Sequence, residues 1–166
     1  MIDFIIRPVK TEDLDMVTEV EAVCFPAAEA ATRESFAQRI AAFPESFFVA
    51  EHDGKIIGFI NGCVTDERTI HDEMFEDSSL HNPKGQYQSI FGLDVIPKYQ
   101  RQGIAAELMK HLIEDAREKG RKGLILTCKD RLIHYYAKFG YQNLGISASV
   151  HGGAVWYDML LEFETQ

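Results

Sequence analysis

Leu93-Asp94-Val95-Ile96-Pro97-Lys98-Tyr99-Gln100-Arg101-Gln102-Gly103-Ile104-Ala105-Ala106 reads as an apolar strand stopped by a proline, then a tight turn, then the first residues of a helix. That order makes an anion site. Residues 100 to 105 leave consecutive backbone N–H groups unpaired at the helix start, with the positive end of the helix dipole behind them. Gly103 lacks the Cβ that would hold a diphosphate away from the chain, and Ala105 keeps the first helical face flat. The expected occupant is a cofactor carrying phosphate, contacted by Gln100, Arg101, Gln102, Gly103, Ile104, Ala105 and Ala106.

On either side of this stretch the residues alternate between strand and helix signals. Phe4 to Val9 predicts a first strand, and Thr11 caps a helix with Glu12, Asp13 and Asp15 in its first turns, ending near Cys24-Phe25-Pro26. Thr32 caps a second helix through about Ala41, closed by Pro44. Phe47-Phe48-Val49-Ala50 begins a strand that Asp53-Gly54 turns back, and Ile56 to Val64 returns with Gly58 and Gly62 as thin points. Residues 65 to 86 predict a long polar loop holding one helical turn. Ser89 to Ile96 is the strand before the turn, and Ile104, Leu108 and Leu112 share the buried face of a helix running to Lys119-Gly120. The continuous apolar run Gly123-Leu124-Ile125-Leu126-Thr127 suits a buried central strand. A short helix follows from Leu132 to Lys138. Tyr141 to Val150 and Val155 to Phe163 complete the chain as strands, with His151-Gly152-Gly153 as their hairpin turn.

Composition narrows the function. At 166 residues and 46% hydrophobic the chain suits a single domain, 1–166, with a core of its own. No run approaches the ~18 apolar residues of a membrane span, and Met1-Ile2-Asp3-Phe4 lacks the features of a signal peptide, so the expected location is cytoplasmic. Cys24, Cys63 and Cys128 are too few and too widely spaced for a disulfide framework or zinc, and the six histidines form no pair at ligand spacing. Residues 97–138 carry ten basic and five acidic side chains, whereas residues 1–96 carry seven basic and eighteen acidic. A basic middle suits a polyanionic cofactor; acidic surroundings suit a cationic substrate and oppose nucleic acid.

Gln100-x-x-Gly103-x-Ala105 after an apolar strand resembles the acetyl-coenzyme A motif of the GNAT acyltransferase superfamily, Gln/Arg-x-x-Gly-x-Gly/Ala. The order of elements resembles that superfamily over nearly the whole chain. The resemblance implies an α/β GNAT acyltransferase fold: a mixed, mostly antiparallel sheet of six to seven strands flanked by about four helices. Glu21-Ala22-Val23-Cys24-Phe25-Pro26, Gly58-Phe59-Ile60-Asn61-Gly62 and Tyr135-Tyr136-Ala137-Lys138-Phe139-Gly140-Tyr141 look most like arylalkylamine N-acetyltransferases, the serotonin-acetylating branch. It also implies that Leu93, Asp94 and Val95 hold the pantetheine arm of acetyl-CoA where the sheet splays.

The implied reaction moves an acetyl group from acetyl-CoA to the primary amine of a small molecule, an arylalkylamine or polyamine, by direct attack. The alternatives are acetylation of a protein N-terminus and a non-catalytic acyl-CoA sensor. An ammonium of pKa ~10.4 must lose a proton before it attacks, and the departing thiolate must gain one. Tyr136 matches the superfamily aromatic that protonates the sulfur. The branch's two strand histidines are replaced by Ser89 and Phe91, neither of which is a base; Ser89 is the candidate to hold a water leading to His71, Glu73 or His81. Phe25, Pro26, Phe91 and Cys128 are the candidate substrate contacts. A homodimer through the last strands is compatible with the sequence.

Overall fold

The computed structural model describes residues 2–164, built from two sheets that share one stretch of chain. Strands β1 (Ile5–Pro8), β2 (Phe47–His52) and β3 (Lys55–Asn61) pair antiparallel, with helices α1 (Leu14–Cys24) and α2 (Arg33–Ala42) inserted between the first two. Thr32 caps α2 as its sequence predicts, its Oγ1 accepting from Ser35 N–H at 3.1 Å. Asp53 (φ 51°) and Gly54 (φ 75°) form the hairpin turn. Beyond β4 (Val64–Thr65), the polar stretch holds the single turn α3 (Glu73–Glu76).

The expected strand from Ser89 to Ile96 is divided at Phe91. Its first half, β5 (Tyr87–Ile90), runs parallel to β7 (Gly123–Cys128), and its second half, β6 (Gly92–Val95), runs antiparallel to β3. The sheet order is therefore β1-β2-β3-β6 on one side and β4-β5-β7 on the other, the latter continued by β9 (Tyr157–Glu162) and then β8 (Gln142–Ile146). The two halves diverge from Phe91 onward. Gly58 and Gly62 are thin for cause: a Cβ on Gly58 would lie 2.5 Å from the Asp94 carbonyl oxygen, and one on Gly62 would collide with the Ser89 carbonyl.

Helix α4 (Ile104–Glu118) spans both sheets on one face. Leu108, Met109 and Leu112 are inaccessible to solvent, and burying each contributes about 1.5–3 kcal/mol. On the opposite face of the first sheet, Val17, Val20, Phe36 and Ile40 from α1 and α2 pack on Phe47, Val49 and Phe59. After α5 (Ile133–Ala137), strands β8 (Gln142–Ile146) and β9 (Tyr157–Glu162) close the second sheet. They are shorter than their sequence suggests. The expected tight hairpin at His151-Gly152-Gly153 is instead a connection spanning residues 147–156, held by side chains remote in sequence.

Candidate active site

The division at Phe91 opens a cleft. The Ile96 N–H to Ile57 carbonyl bond (2.9 Å) sets the phase of the β3–β6 ladder, so Leu93 and Val95 turn their backbone groups to the edge that no described strand covers. The Val95 carbonyl accepts from Gln100 Nε2 at 2.9 Å and from Cys24 Sγ at 3.4 Å, which ties the following turn to the strand. Arg101 (φ 65°) and Gly103 (φ 80°) both adopt left-handed backbone, so successive amides point into one concavity. The first bond of α4 runs from Glu107 N–H to the Gly103 carbonyl; the amides of residues 101–106 have no backbone acceptor among the described bonds. A Cβ at Gly103 would meet nothing within 4 Å, so its approach face is open. Open strand edge and amide cradle are contiguous, as an extended ligand with a diphosphate requires.

Asp94 departs from its expected role. Its backbone pairs with Phe59, and its side chain is buried against α1 rather than turned to the cradle. Ser89 is also turned away: it is inaccessible, and its Oγ donates to the Cys63 carbonyl at 2.8 Å. Strand alternation accounts for this, since Ile90 rather than Ser89 lines the cleft. Of the partners proposed for a water chain, Glu73 reaches the cavity. His71 stands instead beside Glu67 at 3.6 Å, and His81 is packed against Phe43, its Nδ1 accepting from Val64 N–H and its Nε2 facing Glu45. Burial lowers the pKa of His81.

Tyr136, Cys128, Phe91, Phe25 and Pro26 line one cavity of about 940 Å³, continuous with the strand edge. Tyr136 stands on α5 with its ring edge-on to Tyr135 and Tyr141. Burial, with the charges of Cys128, Tyr135 and Asp94 adding to it, raises its pKa and keeps the hydroxyl protonated. Burial also pushes the Cys128 thiol up to about 11 and the Cys24 thiol up to about 12. Neither is a thiolate near neutral pH, so neither is primed to carry an acyl group.

The cavity has a roof. Asp72, just before α3, accepts from the Ser149 hydroxyl and from Val150 N–H (3.0 Å). His151 Nε2 faces the Glu29 carbonyl at 2.9 Å, so that nitrogen carries the proton, and its ring stacks on Phe75 at 4.9 Å. Trp156 Nε1 donates to the His151 carbonyl, and Lys129 pairs with Glu29 at 2.8 Å. The 147–156 connection is thereby joined to both α3 and the loop between α1 and α2.

At the inner wall lies a cluster that sequence reading missed. Glu21 and Arg39 line the cavity beside Gly92, with Asn61 and Asp94 behind them. Glu21 and Arg39 fall on the buried stripes of their helices, with Val17 and Val20 in one case and Phe36 and Ile40 in the other. A charged residue within an apolar stripe is the signal that would have found them.

The comparisons agree with this geometry. Residues 14–141 match the model of the acetyltransferase (GNAT) family, and the chain belongs to that family. It is 31% identical over 143 residues to a Bacillus subtilis protein named probable hydrolase YhcX, covering 81% of this chain and 28% of that one. It is 26% identical over 108 residues to serotonin N-acetyltransferase of Mesocricetus auratus, covering 64% of this chain and 51% of that one. The chain thus spans about half or less of these curated relatives. Among solved structures, the GphF GNAT-like decarboxylase in complex with isobutyryl-CoA superposes with a TM-score of 0.82 at 21% identity, covering 95% of this chain and 98% of that one.

Proposed function

We propose that this protein is an acetyl-CoA-dependent N-acetyltransferase that acetylates the primary amine of a small molecule, with an arylalkylamine or polyamine as acceptor. The observation that carries the reading is the uncovered edge of β6 running into the amide cradle of residues 101–106. Leu93 and Val95 present backbone groups to the pantetheine arm, and the Gln100–Ala106 turn presents N–H groups to the diphosphate. The thioester then lies beside Tyr136, whose protonated hydroxyl donates to sulfur as the C–S bond breaks. With Cys128 and Cys24 held as thiols, the amine attacks the thioester carbonyl directly.

The roof favours a small acceptor over a polypeptide. A peptide N-terminus needs an open groove, and here Asp72, Glu29 and His151 tie the walls together over the cavity. Phe25, Phe75, Phe91 and Trp156 line the enclosed space and suit an aryl or alkyl tail. The deciding experiment follows thiol release from acetyl-CoA with a panel of arylalkylamines, polyamines, amino acids and short peptides. Release is expected with the small amines. Release with peptides alone would transfer the reading to protein acetylation, and binding without release on every acceptor would make the protein an acyl-CoA sensor.

A further inference from the structure

Four buried polar groups at the inner wall of the cavity leave several of their polar atoms without partners. Asp94 is 1% exposed and neither carboxyl oxygen has a hydrogen-bond donor; Glu21 Oε1, Asn61 Nδ2 and Arg39 Nε are likewise unpartnered. Glu21 Oε2 is occupied, accepting from Ala31 N–H at 2.8 Å, which fixes the carboxyl group. Arg39 is fixed too, donating to Asn61 Oδ1 at 3.1 Å and to the Phe75 carbonyl at 3.0 Å while lying over the Phe91 ring. Gly92 leaves room beside them: a Cβ there would press on Asp94 Oδ1 at 3.1 Å and touch Glu21 Oε1 at 3.6 Å and Asn61 Nδ2 at 3.7 Å. Two carboxyl groups face each other as acceptors, an arrangement that gives the ionised pair a high affinity for one proton.

Resting on the acetyltransferase reading, we infer that the Glu21–Asp94 carboxyl pair is the proton acceptor for a cationic amine, and that Arg39 and Asn61 are the residues positioning it. The ammonium passes one proton to the pair, and the freed nitrogen lone pair forms the C–N bond at the thioester carbonyl. As the intermediate collapses, the C–S bond breaks and sulfur takes the Tyr136 proton. The second proton shed by nitrogen restores Tyr136 through water, and the pair releases its proton to solvent. Burial and the Glu21 charge raise the affinity of Asp94 for a proton, and Arg39 limits that rise. The titratable and charged groups facing the pair are Cys24 from α1, Arg39 from α2 and Tyr136 from α5.

The test compares an alkylamine, an ammonium ion at neutral pH, with trifluoroethylamine, which is largely unprotonated there. In E21Q, kcat on the alkylamine is expected to fall about 100-fold or more, with less than about fivefold loss on trifluoroethylamine and unchanged KM for acetyl-CoA. D94N is expected to follow the same pattern. Equal loss on both amines, or a raised amine KM at constant kcat, would overturn the proton role. The wild-type enzyme supplies the check that needs no variant to fold. Its kcat/KM is expected to fall for the alkylamine as pH is lowered from neutrality into the mildly acid range and to stay level for trifluoroethylamine through that same range; parallel profiles would overturn the inference. Wild-type protein that acetylates neither amine would refute the acetyltransferase reading itself.

Discussion

Replacing Asp72 by alanine should loosen the roof without disturbing the sheet beneath it. The carboxylate accepts two hydrogen bonds from the 147–156 connection, one from the Ser149 hydroxyl and one from Val150 N–H. Bonds to a charged acceptor contribute about 1.5–3 kcal/mol each when buried. Both lie near solvent, so the lower figure applies, giving about 3 kcal/mol for the two. At about 1.4 kcal/mol per factor of ten, the roof should open about 100-fold more often. Native-state hydrogen exchange reads this directly: amides of residues 149–153 should exchange about 100-fold faster, while Leu124 to Leu126 in β7 keep the wild-type rate. The stacking of His151 on Phe75 and its bond to Glu29 survive, so the connection stays near its place. The amine KM should rise severalfold with kcat little changed, and bulkier acceptors should gain. Exchange at 149–153 within about threefold of wild type would refute the clasp.

Three further outcomes follow from the same geometry. Tyr136→Phe should lower kcat by about 10²- to 10⁴-fold and leave the calorimetric affinity for acetyl-CoA unchanged, because it removes a proton donor and no binding contact. Gly103→Ala should weaken acetyl-CoA binding by about tenfold or more, by left-handed strain and a methyl in the cradle mouth; Gly120→Ala, equally left-handed at φ 75° but outside the cradle, is the control that should bind as wild type. Asp94→Asn should change stability in a pH-dependent way. The buried carboxyl binds its proton more tightly in the fold than in the unfolded chain, where it titrates near pH ~3.9. Its stabilisation is therefore full below that value and is lost as pH rises through the folded-state value, at about 1.4 kcal/mol per unit of displacement. The asparagine variant should gain in Tm relative to wild type as pH is raised, and a constant difference would show that Asp94 shares no proton.

What sequence reading captured was local. The proline stop, the Gln100–Ala106 turn, the Thr32 cap and the Asp53-Gly54 hairpin each depend on residues within a few positions of one another, and each is found where the residues place it. What it missed is non-local. Ser89 to Ile96 reads as one strand because nothing within it shows that β7 pairs with its first half and β3 with its second. The same division decides which side chains face the cleft, which is why Ser89 was expected there and Ile90 is found. His151-Gly152-Gly153 carries hairpin chemistry, but its partners Glu29 and Phe75 are more than seventy residues away in sequence. Glu21 and Arg39 were legible only as anomalies in apolar stripes.

The position of Asp94 gives those anomalies a reason. Burying two carboxyl groups and a guanidinium costs several kcal/mol that well-packed apolar side chains would not incur, so the cluster is weak evidence for stability and stronger evidence for chemistry. Alternation along β6 supplies the link. Leu93 and Val95 turn backbone groups to the open edge, while Asp94 between them sends its carboxyl toward Glu21 at the cavity wall. On the proposed reading, one four-residue strand thus serves both substrates, the acyl donor through its backbone and the amine through the carboxyl of Asp94 paired with Glu21. A strand locked to β3 on one edge cannot shift one set of groups without the other. On that reading the edge that takes the acyl donor and one half of the proton acceptor share a single strand, while the other half, Glu21 on α1, is held by Ala31 N–H and lines the cleft that the division at Phe91 opens.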